Sequence, residues 1–132
     1  MIKTEQDFII KIHLIISVLI VAPTAIMYGF YPDFQFDLLP KSYDEHNFYK
    51  AIMGLYIGFS MLWIIGLYNK EFLKTALLSN IIFMFGLGFG RLISIAVDGL
   101  PSTGYVIGAL AELFLGFYGL WVFLKKALNK KM

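Results

Sequence analysis

A chain of 132 residues with 59% hydrophobic and only 15% charged residues is too apolar for an ordinary soluble domain, where roughly a quarter of residues carry charge; the mean hydropathy of +0.75 agrees. The absence of cysteine excludes disulfides, thiolate metal sites and cysteine nucleophiles. A net charge of +2, with lysines beside apolar blocks, points to membrane topology and away from nucleic acid.

In chain order, four apolar segments stand out, at 8–30, 48–68, 75–97 and 105–124. Each is about 20 residues, the length a helix needs to cross a hydrocarbon layer of roughly 30 Å. Lipid offers no partners for free backbone groups, so the segments are expected to be helices. The expected architecture is all-α: one domain, 1–132, folded as an up-down four-helix membrane bundle. The first segment is too long for the core of a cleaved leader and is interrupted by Lys11 and His13. The stretches 69–74 and 98–104 are short, which makes the helices they join antiparallel neighbours.

Lys3, Lys11, Lys70, Lys74, Lys125, Lys126, Lys130 and Lys131 fall on one side of this arrangement; Lys41, Lys50 and Arg91 fall at or toward the other. The asymmetry predicts cytoplasmic N and C termini. The segment 31–47 is then an external loop, acidic through Asp33, Asp37, Asp44 and Glu45, and stiffened by Pro32 and Pro40. Tyr28, Tyr31, Tyr43 and Tyr49 are expected at the outer interface.

Helical phase, 100° per residue, assigns faces. On the first helix Gln6, His13, Ser17 and Thr24 lie within about 40° of one another, and Pro23 predicts a kink over 19–23. The second helix gathers Lys50, Gly54, Ile57, Met61 and Ile64 on one face. On the third, Asn80, Arg91, Ser94 and Asp98 form a stripe flanked by Gly86 and Gly90. On the fourth, Glu112 shares its face with Tyr105, Gly108, Ala109, Gly116 and Gly119, small residues that admit a neighbouring helix. Arg91 and Glu112 both sit about 10 Å below the outer boundary at 1.5 Å per residue. Each would cost on the order of 3 kcal/mol unpaired at the membrane centre, so they are expected to pair. Lys50 and Asp98 are expected to form a second pair nearer the surface. His13, Ser17 and Asn80 make a secondary polar layer, with His13 a hydrogen-bonded interior histidine and Asn80 an interhelical tie. No metal-ligand spacing and no cofactor motif is legible.

The runs 47–56 (Asn-Phe-Tyr-Lys-Ala-Ile-Met-Gly-Leu-Tyr) and 90–101 (Gly-Arg-Leu-Ile-Ser-Ile-Ala-Val-Asp-Gly-Leu-Pro), with Glu112 followed by Gly116, resemble a family of small four-span bacterial membrane proteins known as a domain of unknown function. The resemblance runs from the second helix to the end. It implies Lys50, Arg91, Ser94, Asp98 and Glu112 as the site, and a multi-pass protein of the bacterial cytoplasmic membrane. It also implies an Arg where this chain has Lys50, which keeps the charge and loses the planar fork. Architecture alone is loosely similar to the DoxX-like four-span group, an analogy without functional weight.

Two views of the charged cluster compete: a structural tie between helices three and four, or the lining of an outward-opening polar pocket for a small polar or anionic ligand. The second leads to a binding or accessory protein, with Arg91 as anchor, Glu112 as its orienting partner and Asp98 as partner of Lys50. The alternatives are a small transporter or proton-coupled carrier working as an oligomer, or a structural subunit of a membrane complex. Expected partners are the lipid bilayer, the small ligand and further copies through Gly54, Gly58 and Gly66, with no nucleic acid. No Ser–His–Asp, Cys–His or HExxH arrangement marks an enzyme.

Overall fold

A computed structural model describes residues 2–131, with side chains over 5–34 and 37–128. Lys3, Lys130 and Lys131 of the topology count lie outside the described side chains. Among the described residues the regular elements are all helices: α1 (Ile2–Phe30), the short α2 (Pro32–Phe36), α3 (Tyr43–Tyr68), α4 (Lys70–Asp98) and α5 (Thr103–Lys131). The four long helices are apolar and long enough to cross a membrane. Chain neighbours pack on one another, α1 on α3, α3 on α4 and α4 on α5, and α1 closes the bundle against α5.

Helix ends follow local chemistry. Ser42 caps α3 by accepting from the Glu45 N–H at 3.2 Å, and the Glu45 carboxylate reaches back to the Lys41 N–H. This Ser-x-x-Glu arrangement starts α3 at Tyr43, inside what the apolar pattern marks as loop. A helical turn at Pro32–Phe36 occupies more of that loop; it closes through the left-handed Asp37, φ 50°, and a bond from Leu38 N–H to the Pro32 carbonyl at 3.3 Å. At the other end, Asn69 terminates α3 and caps α4, accepting from Glu71 N–H at 3.0 Å. One residue therefore makes the turn where a longer connection was expected. α1 continues as a single helix through Pro23.

Polar side chains enter the interior while large apolar ones face outward. Gln6, His13, Ser17, Ser60 and Asn80 are buried among Ile10, Leu14, Trp63, Leu73, Leu77 and Met84, while Leu19, Ile82, Ile93, Leu110 and Phe114 face outward. Water would expel that exterior; hydrocarbon solvates it.

Packing differs between the two ends. Near Asn69, Gly66 lies directly against Ala76, leaving no room for another side chain. Beside it, Trp63 Nε1 donates to Ser79 Oγ at 3.1 Å. Edge-on rings continue this seam, with Phe83 5.3 Å from Trp63 and 5.1 Å from Tyr56. Toward the α1–α3 loop, α3 and α4 separate. Gly54 and Gly58 on α3 and Gly86 and Gly90 on α4 meet nothing within 4 Å of where a Cβ would stand. The α4–α5 seam is tight at its middle, with Leu113 over Gly88 and Phe85 over Gly116, and opens toward Gly104 and Gly108, which meet nothing within 4 Å.

Candidate functional site: an arginine between two cavities

Gly88 and Gly116 set the spacing of α4 and α5. Leu113 occupies the volume a side chain at position 88 would take, and a Cβ at 116 would stand 2.9 Å from the Phe85 ring. That close approach brings Arg91, one turn beyond Gly88, to Glu112, one turn before Gly116. Arg91 Nε donates to Glu112 Oε2 at 2.8 Å, and Nη2 donates to Oε1 at 3.1 Å. The two side chains are 20% and 14% exposed, so neither charge is well hydrated and each offsets the other's desolvation. The planar fork fixes the guanidinium in orientation as well as position.

Two tyrosines complete the setting. Tyr28 of α1 accepts a further bond from Arg91 Nη2 at 3.3 Å. The Tyr105 ring of α5 lies beneath the guanidinium, 5.5 Å from centroid to Cζ. Nε and Nη2 are thus engaged, and the hydroxyl of Tyr56 on α3, which lines both cavities beside the guanidinium, is a further hydrogen-bonding neighbour of Arg91. Tyr28 is buried, 6% exposed, which corrects its assignment to the outer interface. The signal was available: it follows Ser17 by three helical turns and shares its face.

Arg91 borders two cavities. One of about 240 Å³ lies between α1, α4 and α5, reaches Tyr56 of α3 and also touches Thr24, Gly108 and Glu112. The other, about 950 Å³, is the cleft between α3 and α4, bordered by Ile52, Phe59, Gly86, Gly90 and Ser94. Its walls are mostly apolar, in place of the polar lining expected.

The expected quartet of charges does not assemble. Lys50 is exposed and places its ammonium over the Phe30 ring at 5.6 Å. Asp98 is exposed and accepts from Ser94 Oγ at 2.9 Å within its own helix. Among the described residues they form no ion pair. The reason is placement. The buried face of α3 runs through Tyr56, Ser60, Trp63 and Gly66, and Lys50 stands about 120° from it at 100° per residue. Asp98 keeps the Arg91 stripe but is the last residue of α4, past the packed part of the bundle. Gly54, Met61 and Ile64, which share the Lys50 face, are likewise exposed.

The secondary layer does assemble, in the half near Asn69. His13 Nε2 and Asn80 Oδ1 are 2.9 Å apart, and Ser17 Oγ donates to the His13 carbonyl at 3.0 Å. All three are fully buried. Tyr118 packs on the imidazole at 5.3 Å, and Gly119 leaves room for it. His13 Nδ1 and Asn80 Nδ2 have no partner among the described residues. At that same end Lys126 Nζ pairs with Asp7 at 2.7 Å, a tie between α1 and α5 that no sequence spacing announces.

Four helices long and apolar enough to cross a membrane, with large apolar side chains on their outer faces and His13, Ser17 and Asn80 buried between them, point to a multi-pass membrane protein. Within that class, the chain belongs to the family described as Domain of unknown function (DUF4345), whose profile matches residues 9–123. The match includes the first helix, which carries none of the runs that first suggested the family. No curated protein and no solved structure matches the chain.

Proposed function

We propose that this is a ligand-binding or accessory protein of the bacterial cytoplasmic membrane, with its site at Arg91 in the outward half of the bundle. The observation that carries this is the way Arg91 is held. Glu112 and Tyr28 engage Nε and Nη2 and Tyr56 stands beside the guanidinium; these neighbours take fewer bonds than its five N–H groups can make, which supports a further oxygen acceptor at the cavity. A tie between two helices needs neither the cavity nor the spare donors. Glu112 is the orienting partner, and Tyr105 supports the cation from below. Ser94, on the cleft wall, is a second polar contact. Lys50 and Asp98 take no direct part. The lysines near Asn69, against the acidic 31–47 segment, support an outward-facing Arg91.

Native mass spectrometry of the protein released from a mild detergent tests the site. A discrete bound mass is expected on the wild type. It should be lost from a double variant, Arg91→Gln with Glu112→Gln, which keeps a neutral hydrogen-bonded pair. Equal retention by both proteins, or a bare wild-type chain, contradicts the proposal.

A further inference from the structure

We infer that the ligand is a single-chain amphiphile with a small oxygen-acceptor head, of the long-chain carboxylic acid class, entering sideways from the bilayer between α3 and α4. This rests on Arg91 as the anchor and adds what the rest of the ligand must be.

The cleft is shaped for a chain. Ile82 and Ser94 both border it; twelve residues apart on one helix, they span roughly 18 Å at 1.5 Å per residue. Along that length Gly86 and Gly90 bare the α4 backbone, so the floor is a smooth trough. Phe59 and Phe83 close its deep end, where Trp63 and Ser79 hold α3 and α4 together. Arg91 and Ser94 stand at the opposite end. The volume of about 950 Å³ is at the upper end of small-molecule sites, roughly 300 to 1,000 Å³, and is large for a small polar ion held at one guanidinium.

Chemistry selects the occupant. Apolar walls along a trough that ends at a cation complement a hydrocarbon chain that ends in an acceptor. Large apolar side chains at the cleft margin, Leu55 and Ile82, are 61% and 64% exposed, as befits a lip in contact with lipid. Arg91 lies seven residues inside the end of α4, about 10 Å below it at 1.5 Å per residue. A bulky, heavily hydrated phospholipid headgroup would have to leave the interface to reach that depth. A carboxylate or carbonyl is small enough to descend and has the lone pairs for the guanidinium N–H groups that Glu112 and the neighbouring tyrosines leave over.

The test uses cis-parinaric acid, a fluorescent long-chain carboxylate, titrated into the full-length protein in nanodiscs with empty nanodiscs subtracted. Saturable binding is expected, displaced by hexadecanoate and not by butanoate or hexadecane. Gly86→Leu, which fills the trough where nothing stands within 4 Å, should weaken it at least tenfold. The Arg91→Gln, Glu112→Gln double variant should weaken it about tenfold, the loss expected of one hydrogen bond to a charged group. Displacement by butanoate with no effect of Gly86→Leu would overturn the chain-binding inference and leave the Arg91 site standing. Hexadecane competing as well as hexadecanoate, with the double variant unchanged, would reduce the cleft to solvation by lipid and sink both. Absence of saturable binding also overturns the inference, while the mass retained in native spectra judges the Arg91 site separately.

Discussion

Arg91 and Glu112, 21 residues apart in sequence, are joined through the Nε and Nη2 edge of the guanidinium, at 2.8 and 3.1 Å. The choice of edge matters. Binding through this side keeps Nη1 turned from Glu112, whereas binding through Nη1 and Nη2 would have given the whole fork to the carboxylate. The pair therefore locks α4 to α5 and still presents donors.

Breaking the pair from one side should be costly. Glu112→Gln strands a cation that is only 20% exposed, and a loss of about 3 kcal/mol is expected for an unpaired buried charge. Replacing both residues by leucine should recover most of that. Lys50→Gln and Asp98→Asn, at exposed positions, should each fall within about 0.5 kcal/mol of the wild type and show no coupling. Reversible unfolding in mixed micelles measures all of these; additive losses at Arg91 and Glu112 would contradict the geometry.

The inner polar layer should behave as a modest tie. His13 and Asn80 exchange one hydrogen bond of 2.9 Å between α1 and α4. Intramembrane bonds of this kind couple by about 0.6 kcal/mol on average and at most about 1.7. A double-mutant cycle with His13→Leu and Asn80→Leu is expected inside that range. A coupling near zero would mean the two side chains do not meet.

Glycine positions should split into two classes. At Gly66 a Cβ would collide with that of Ala76, and at Gly119 it would stand 2.9 Å from His13 Nε2 and Ile81 Cγ1. Alanine at either is expected to cost about 1–3 kcal/mol by overpacking. At Gly54 and Gly90, with nothing within 4 Å, alanine should be neutral or stabilise by up to about 1 kcal/mol through helix propensity. A loss at Gly54 that depends on protein concentration would instead reveal self-association through that face.

Topology is directly accessible because the chain contains no native cysteine. A cysteine replacing Tyr43, 94% exposed, should react with a membrane-impermeant maleimide on intact cells. One replacing Lys70 at the opposite end should react only after permeabilisation. The reverse pattern would place Arg91 in the inward half.

How much of this was readable from residues alone depended on the distance involved. Helical phase placed Gln6, His13, Ser17 and Thr24 on one α1 face; the first three are buried, while Thr24 is partly exposed and donates to the Ile20 carbonyl of its own helix at 2.7 Å. Depth along the helices brought Arg91 level with Glu112, and they meet. The same depth reasoning failed for Lys50 and Asp98, because depth says nothing of azimuth for the first or of the end of packing for the second. Tyr28 was misplaced when a rule about interfacial aromatics outweighed its phase. The Asp7–Lys126 tie and the α3–α4 cleft had no signature. Both arise from how whole helices lean on one another, set by contacts such as Gly66 on Ala76 and Trp63 on Ser79.

A crystal structure of the protein grown from a lipid mesophase puts the central claim at greatest risk. Elongated density is expected between α3 and α4, ending within hydrogen-bonding distance of Arg91 Nη1. If α3 and α4 instead close over Gly86 and Gly90, and the guanidinium turns Nη1 to protein acceptors, Arg91 is a structural clamp and the binding site does not exist.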